Sequence, residues 1–330
     1  MTTGRKRELF YCKLVAAIEQ SLVNPMTIAK GFLLSILFGA TSAPLANAGE
    51  KLRIASFSTV LTEIVQQVGA THVDVAGLVK PGQDPHEYQP TPSDLKQAAD
   101  AKLILLSGKH LEHYLDKIQQ ATGAKAESLA VGDAMPSLKM KADPDESQAE
   151  ATAEQNGMID DPHWWNSVSN VEKATMIVRD ALTKLDPADQ ADYEKNAKAY
   201  LAKLDALDAW AKRKVAELPR DKRKLVTSHD AFQYLAKDYG FKVYAIEGVS
   251  TETEPSNRHV ATLIDDIKSQ HVKAIFLENT LNPKVSTEIT RETGAKIGGS
   301  LYADGLGEGD GSTYEGMFRH NISTIVDSLK

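Results

Sequence analysis

KLRIASFSTVLTEIVQQVGATHVDVAGLV, Lys51 to Val79, is the stretch whose reading decides the fold. Lys51–Phe57 has the apolar, β-branched character of a strand. Ser58–Gly69 places Val60, Ile64, Val65 and Val68 on one helical face, with Gly69 as the stop signal. Val73–Val79 is a second strand. Strand, helix and strand with no hairpin turn between them predict a crossover between parallel strands.

The rhythm continues outward. Thr91-Pro92-Ser93-Asp94 is a helix entry for residues 90–99, Lys102–Ser107 (KLILLS) a buried strand, and Leu111–Thr122 a helix. Beyond a polar interruption, helices are predicted at Val168–Leu185 and from Pro187 to about Leu218. The second repeats Tyr200, Leu204, Leu207, Trp210 and Ala211 at helical spacing. Its length, roughly 45 Å, suits a rod between two lobes. Strands follow at Lys224–Ser228, Lys242–Ile246, Ala274–Leu277 and Lys296–Ser300, with helices at Ala231–Asp238, Ser256–Gln270, Pro283–Glu292 and Tyr314–Leu329. The expected fold class is therefore α/β: two lobes, each with a mainly parallel sheet flanked by helices, joined by a long interlobe helix. The expected boundaries are residues 49–186 for the first lobe, 187–218 for the helix and 219–330 for the second lobe. No detailed sequence repeat links the lobes.

The first 48 residues belong to targeting. Lys30 precedes the apolar run Gly31–Ala40, too short to span a bilayer, and Ala46-Asn47-Ala48 is an A-x-A cleavage site. Met26 stands where such a leader would start; the rival reading is a cytoplasmic extension ahead of a signal anchor. Cys12, the only cysteine, lies upstream of the cut. The processed chain would have no disulfide, no thiolate metal site and no cysteine for lipid attachment, which suggests a Gram-negative periplasm.

The whole chain has 38 basic and 45 acidic residues. The leader carries five and two of them, so the remainder has 33 and 43, a formal net of −10. Without a large basic cluster, nucleic-acid binding is unsupported. With 42% hydrophobic and 25% charged residues, the chain has enough apolar content for a packed core. Residues 139–160, rich in Asp and Glu, hold too little apolar content to pack and are expected to form a mobile acidic loop.

Four short motifs carry chemistry: Asp84-Pro85-His86-Glu87-Tyr88, Asp161-Pro162-His163-Trp164, Thr227-Ser228-His229-Asp230-Ala231-Phe232 and Leu301-Tyr302-Ala303-Asp304-Gly305-Leu306-Gly307. Each holds one residue that binds transition metals well. Three neutral imidazoles and one carboxylate complete a tetrahedral shell and leave no position for a reacting water. Singly, each motif also fits ordinary turn or helix-entry chemistry. At these four motifs, in order, the chain resembles the zinc/manganese solute-binding proteins of ABC importers, over roughly Lys51 to Leu329. The resemblance implies that His86, His163, His229 and Asp304 are the metal ligands. It also implies that the long helix joins the lobes, and that the partners are a membrane permease with its ATPase. No catalytic residue is implied, and a monomer is expected.

Both proline-preceded histidines sit in loops whose backbone proline stiffens. His229 and Asp304 directly follow strands, where ligands bind in open parallel sheets. Glu87, Asp230 and Glu278 are candidates to hold the second ring nitrogens, while Trp164 and Trp165 either shield the site or simply pack. His72, His110, His113, His259, His271 and His320 lie outside the motifs, and His110 and His113 are expected to face solvent. Imidazole ligands lean toward zinc. Manganese-selective relatives commonly have Glu where His229 stands, and the His-rich loop of several zinc-binding relatives is absent here, so manganese and iron stay open. The competing functions are a zinc hydrolase, for which no H-E-x-x-H is present, and a binding protein for an iron chelate. Metal affinity should fall toward pH 5. A single long helix is a poor hinge, so small lobe motion is expected.

Overall fold

In the computed structural model, residues 50–123, 126–141, 158–251 and 255–330 are described. All belong to one unit, Ala48–Lys330. The predicted crossover is present: β1 (Leu52–Ser56), α1 (Thr59–Gly69) and β2 (Val73–Gly77). The strands pair in parallel, Leu52 opposite Val73 and Ser56 opposite Gly77. Ser58 caps α1 by accepting the Leu61 amide. Val60, Leu61, Ile64, Val65 and Val68 form its fully buried face.

α2 (Pro92–Asp100) opens with a reciprocal capping box between Thr91 and Asp94. β3 (Leu103–Leu106), α3 (Leu115–Thr122) and β4 (Glu127–Ala130) complete the first sheet, ordered β2-β1-β3-β4. The second sheet holds β7 (Lys224–Thr227), β8 (Lys242–Ala245), β9 (Ala274–Glu278) and β10 (Lys296–Leu301), ordered β10-β9-β7-β8. All pairings in both sheets are parallel. In each, the first strand in sequence has its successor on one side and the next strand on the other. The lobes thus share a topology that their sequences do not advertise.

Between the sheets run α4 (Val168–Leu185) and α5 (Gln190–Ala216), the second entered through a short 3-10 turn at Pro187–Asp189. α5 has 27 residues and spans about 40 Å. Its buried stripe, Tyr193, Ala197, Tyr200, Leu204, Leu207, Ala211 and Val215, advances by three or four residues. It packs against α1, α4 and the last helix, α9 (Tyr314–Leu329). α6 (Gln233–Tyr239), α7 (Asn257–Ser269) and α8 (Lys284–Thr293) flank the second sheet. One apolar core runs without interruption from Ile54 and Leu103, through α4 and α5, to Leu225, Phe276 and Ile322.

Two expectations are corrected. The ends of the acidic segment are not loop: β5 (Lys139–Lys141) and β6 (Met158–Asp160) pair antiparallel, while residues 142–157 lie outside those described. The helix expected from Leu111 begins at Leu115. Gly108, Lys109 and His110 are all left-handed, with φ of 82°, 54° and 63°. The buried Glu112 carboxylate folds back onto the amides of Ser107 (2.5 Å) and Gly108 (3.0 Å). Residues 1–48, expected to be a targeting segment, also lie outside the described residues.

Candidate metal centre

The four motif residues converge where strands of both sheets end. His86 lies in the loop leaving β2, and His163 just ahead of α4. His229 stands two residues beyond β7, and Asp304 three beyond β10. All four are buried, and one ligand atom from each lies within 4.8 Å of every other. His163 Nε2 is 3.1 Å from His86 Nε2 and 3.3 Å from His229 Nε2. Asp304 Oδ1 is 3.2 Å from His229 Nε2 and 3.6 Å from the Nε2 atoms of His86 and His163. Donors 2.0–2.1 Å from a zinc ion at tetrahedral angles lie about 3.3–3.4 Å apart. These five edges bracket that length.

What holds the rings is as specific as where they point. Asp161 Oδ1 accepts from both the His163 amide and Nδ1, each at 2.9 Å. Glu278, at the end of β9, does the same for His229: Oε1 accepts the amide at 3.0 Å and Oε2 accepts Nδ1 in a short contact. With Nδ1 donating to a carboxylate, each neutral ring turns its Nε2 lone pair inward. On Asp304, Oδ2 accepts from Thr280 Oγ1 at 3.2 Å, while the buried Oδ1 has no hydrogen-bonded partner. Lone pairs and an anionic oxygen are thus aimed at one buried point, an arrangement that a cation satisfies.

The loop carrying Asp304 is fixed from both ends. Ala303 O accepts from Trp165 Nε1 (2.8 Å) and Asn166 Nδ2 (3.1 Å). Leu306 N donates to Thr59 Oγ1 (2.8 Å), and Leu306 O accepts the Gly82 amide (3.0 Å). Gly305 has φ of 145°, and a Cβ there would come within 2.3 Å of Thr59 Oγ1, so only glycine permits the approach.

Protonation competes with a metal here. Burial works against charge on all three rings. At His163 the Asp161 hydrogen bond and the nearby Asp304 carboxylate outweigh it and raise the pKa. At His229 the charges of Glu278 and Asp304 hold it well above the ordinary value. His86 has no comparable help, and burial leaves it lowered. Burial would raise Asp304, but the three rings, His229 foremost, hold it well below the usual carboxylate range.

Of the three acidic candidates for holding ring nitrogens, only Glu278 does so. Glu87 is exposed, and Asp230 accepts from Gln233 Nε2 (2.8 Å) rather than from a histidine. Asp161 was missed, although its place two residues ahead of His163 in D-P-H was a usable signal. Both tryptophans pack in the core, and Trp165 also lies against the site. Trp165 sets its ring edge-on to His163, centroids 5.4 Å apart. Trp164 donates to Ser107 O at 3.1 Å and packs in the core. His110 and His113 are exposed.

Two α/β lobes bridged by one long helix, with three imidazoles and a carboxylate meeting in a closed nest between them, define the class. The family model for the zinc-uptake complex component A periplasmic protein matches residues 54–328. The manganese-binding lipoprotein MntA of Bacillus subtilis is 33% identical over 315 residues, 91% of this chain and 99% of the relative. The zinc-binding protein TroA of Treponema pallidum is 32% identical over 92% of this chain and 96% of its own length. The iron-binding protein YfeA of Yersinia pestis is 32% identical over 85% and 87%. Among solved structures, the periplasmic zinc-binding TroA superposes with a TM-score of 0.76 at 31% identity, covering 85% of this chain and 99% of that one. A manganese-bound periplasmic metal-binding protein from Candidatus Liberibacter asiaticus gives 0.74 at 30% identity, over 85% and 100%. The chain belongs to the zinc/manganese solute-binding protein family of ABC importers.

Proposed function

We propose that this chain is the exported receptor of a metal importer. In this reading His86, His163, His229 and Asp304 hold one zinc ion between the lobes until it passes to a membrane permease driven by its ATPase. The observation that carries the reading is the inward-facing donor set of three Nε2 atoms and one unpartnered carboxylate oxygen. Imidazole-rich, four-donor nests suit zinc. All four groups are 3% exposed or less, so no open position faces solvent. A hydrolytic zinc site keeps one ligand position for water, and this enclosure favours cargo over catalysis. An exported, periplasmic location rests on the leader at residues 1–48; among the described residues no helix is long and apolar enough to cross a membrane.

A second reading, manganese or iron as the ion, draws support from the relatives that carry those names. Elemental analysis of protein purified from periplasm without added metal, beside His229→Ala, separates the two. About one zinc per chain, lost in the variant, supports the zinc reading. About one manganese or iron keeps the receptor and replaces its ion. No metal in the wild-type protein, and none taken up from added zinc, removes the receptor reading.

A further inference from the structure

The three histidines are not equally secured. His163 and His229 each have a buried carboxylate on Nδ1. Among the described residues none is found on Nδ1 of His86, whose backbone amide instead donates to Asp84 Oδ1 at 2.8 Å. The other oxygen of Asp84 accepts a hydrogen bond from Thr251 Oγ1, also at 2.8 Å, from the opposite lobe.

The segment carrying Thr251 is tied firmly to its own lobe. As the chain leaves β8, Ile246 N donates to Thr227 O (3.0 Å) and Glu247 N to Ser228 O (2.8 Å). Gly248 O accepts the Asp230 amide (2.9 Å). These bonds anchor it to the turn that presents His229. Thr251 itself is only 9% exposed. One short strap therefore connects the backbone around His229 to the carboxylate that orders the backbone of His86.

We propose that Thr251 is a positioning residue for metal retention: through Asp84 it holds the His86 loop against the opposite lobe, and His86 is the first ligand to let go. The inference rests on the metal-centre reading above. A ring braced only through its backbone has more freedom to swing away, and its restraint depends on a bond that exists only while the strap and the His86 loop meet. His163 and His229 keep their carboxylates whatever the strap does.

The test is the rate at which zinc-loaded full-length protein gives up its ion to excess chelator, followed by stopped flow. Thr251→Val keeps the side-chain shape and removes the donor; Thr251→Ser keeps the donor. Losing one hydrogen bond of ordinary strength predicts zinc loss about five- to tenfold faster in Thr251→Val. Thr251→Ser should release zinc at the wild-type rate, with one zinc per chain and an unchanged melting temperature of the metal-free protein in both. A merely structural role would lower that melting temperature without the selective change in rate. Equal rates in wild type and Thr251→Val, with zinc bound in both, overturn the role of Thr251 alone. Equal acceleration in Thr251→Ser also overturns it. Failure of the wild-type protein to take up zinc overturns the metal-centre reading as well.

Discussion

Glu278 shows how much of this site lies one shell beyond the residues that face its centre. Its carboxylate holds the His229 ring and amide together and sets which nitrogen keeps the proton. Removing the charge while keeping the shape, Glu278→Gln, should weaken zinc binding about 10- to 100-fold with the fold intact. Isothermal titration against a competing chelator reads this directly. Glu112, far from any ligand role, offers a different test. Burial pushes its carboxyl up to about 7, against the pull of the Gly108 and Ser107 amides. A carboxyl raised in the folded state contributes stability that is full below its unfolded value near 4.5 and lost as pH rises through 7. Between pH 5 and pH 8 the metal-free wild type should lose about 2–3 kcal/mol that Glu112→Gln does not lose. Denaturant melts at the two pH values check this.

At the scale of elements, α5 is the member on which both lobes depend. Leu207, fully buried at its middle, sits in the core shared by α1, α4 and α9. Leu207→Ala should cost about 2–5 kcal/mol, read from urea unfolding of the metal-free protein. This helix was legible in the sequence because Tyr200, Leu204, Leu207 and Ala211 recur at helical spacing on the face that is buried. The crossover at Lys51–Val79 was legible for a similar reason: fully buried parallel strands and an amphipathic helix leave strong periodic signals. β4 left none. Its residues Glu127, Ser128, Leu129 and Ala130 form a sheet edge, half of it exposed, and carry no apolar run. The start of α3 was hidden because a left-handed turn at Gly108–His110 and the fold-back of Glu112 override local helical spacing. In the site, three histidines and an aspartate stood out by residue type. Their supports stood out less: Asp161 and Asp84 are marked only by their place two residues ahead of a histidine in D-P-H, and Thr280 only by what lies next to it in space.

One apolar cluster spans both lobes, a smaller one lies against each sheet, and the two sheets share one strand order. Sliding the lobes apart would open apolar surface along α1, α4, α5 and α9, so the protein is poorly built for a wide hinge motion. Small-angle scattering should therefore give radii of gyration that agree within about 1 Å with and without zinc, and a larger change would contradict the shared core. A metal held by the four proposed ligands would tie segments from both lobes, and it should raise the melting temperature with the logarithm of its excess over the dissociation constant.

The central claim is that four side chains close around one ion and leave no place for water. X-ray absorption at the zinc edge of the one-to-one complex tests it most directly. The account predicts four nitrogen or oxygen neighbours at about 2.0 Å, with the multiple-scattering signature of three imidazoles. A fifth light neighbour, or fewer than three imidazoles, would contradict it.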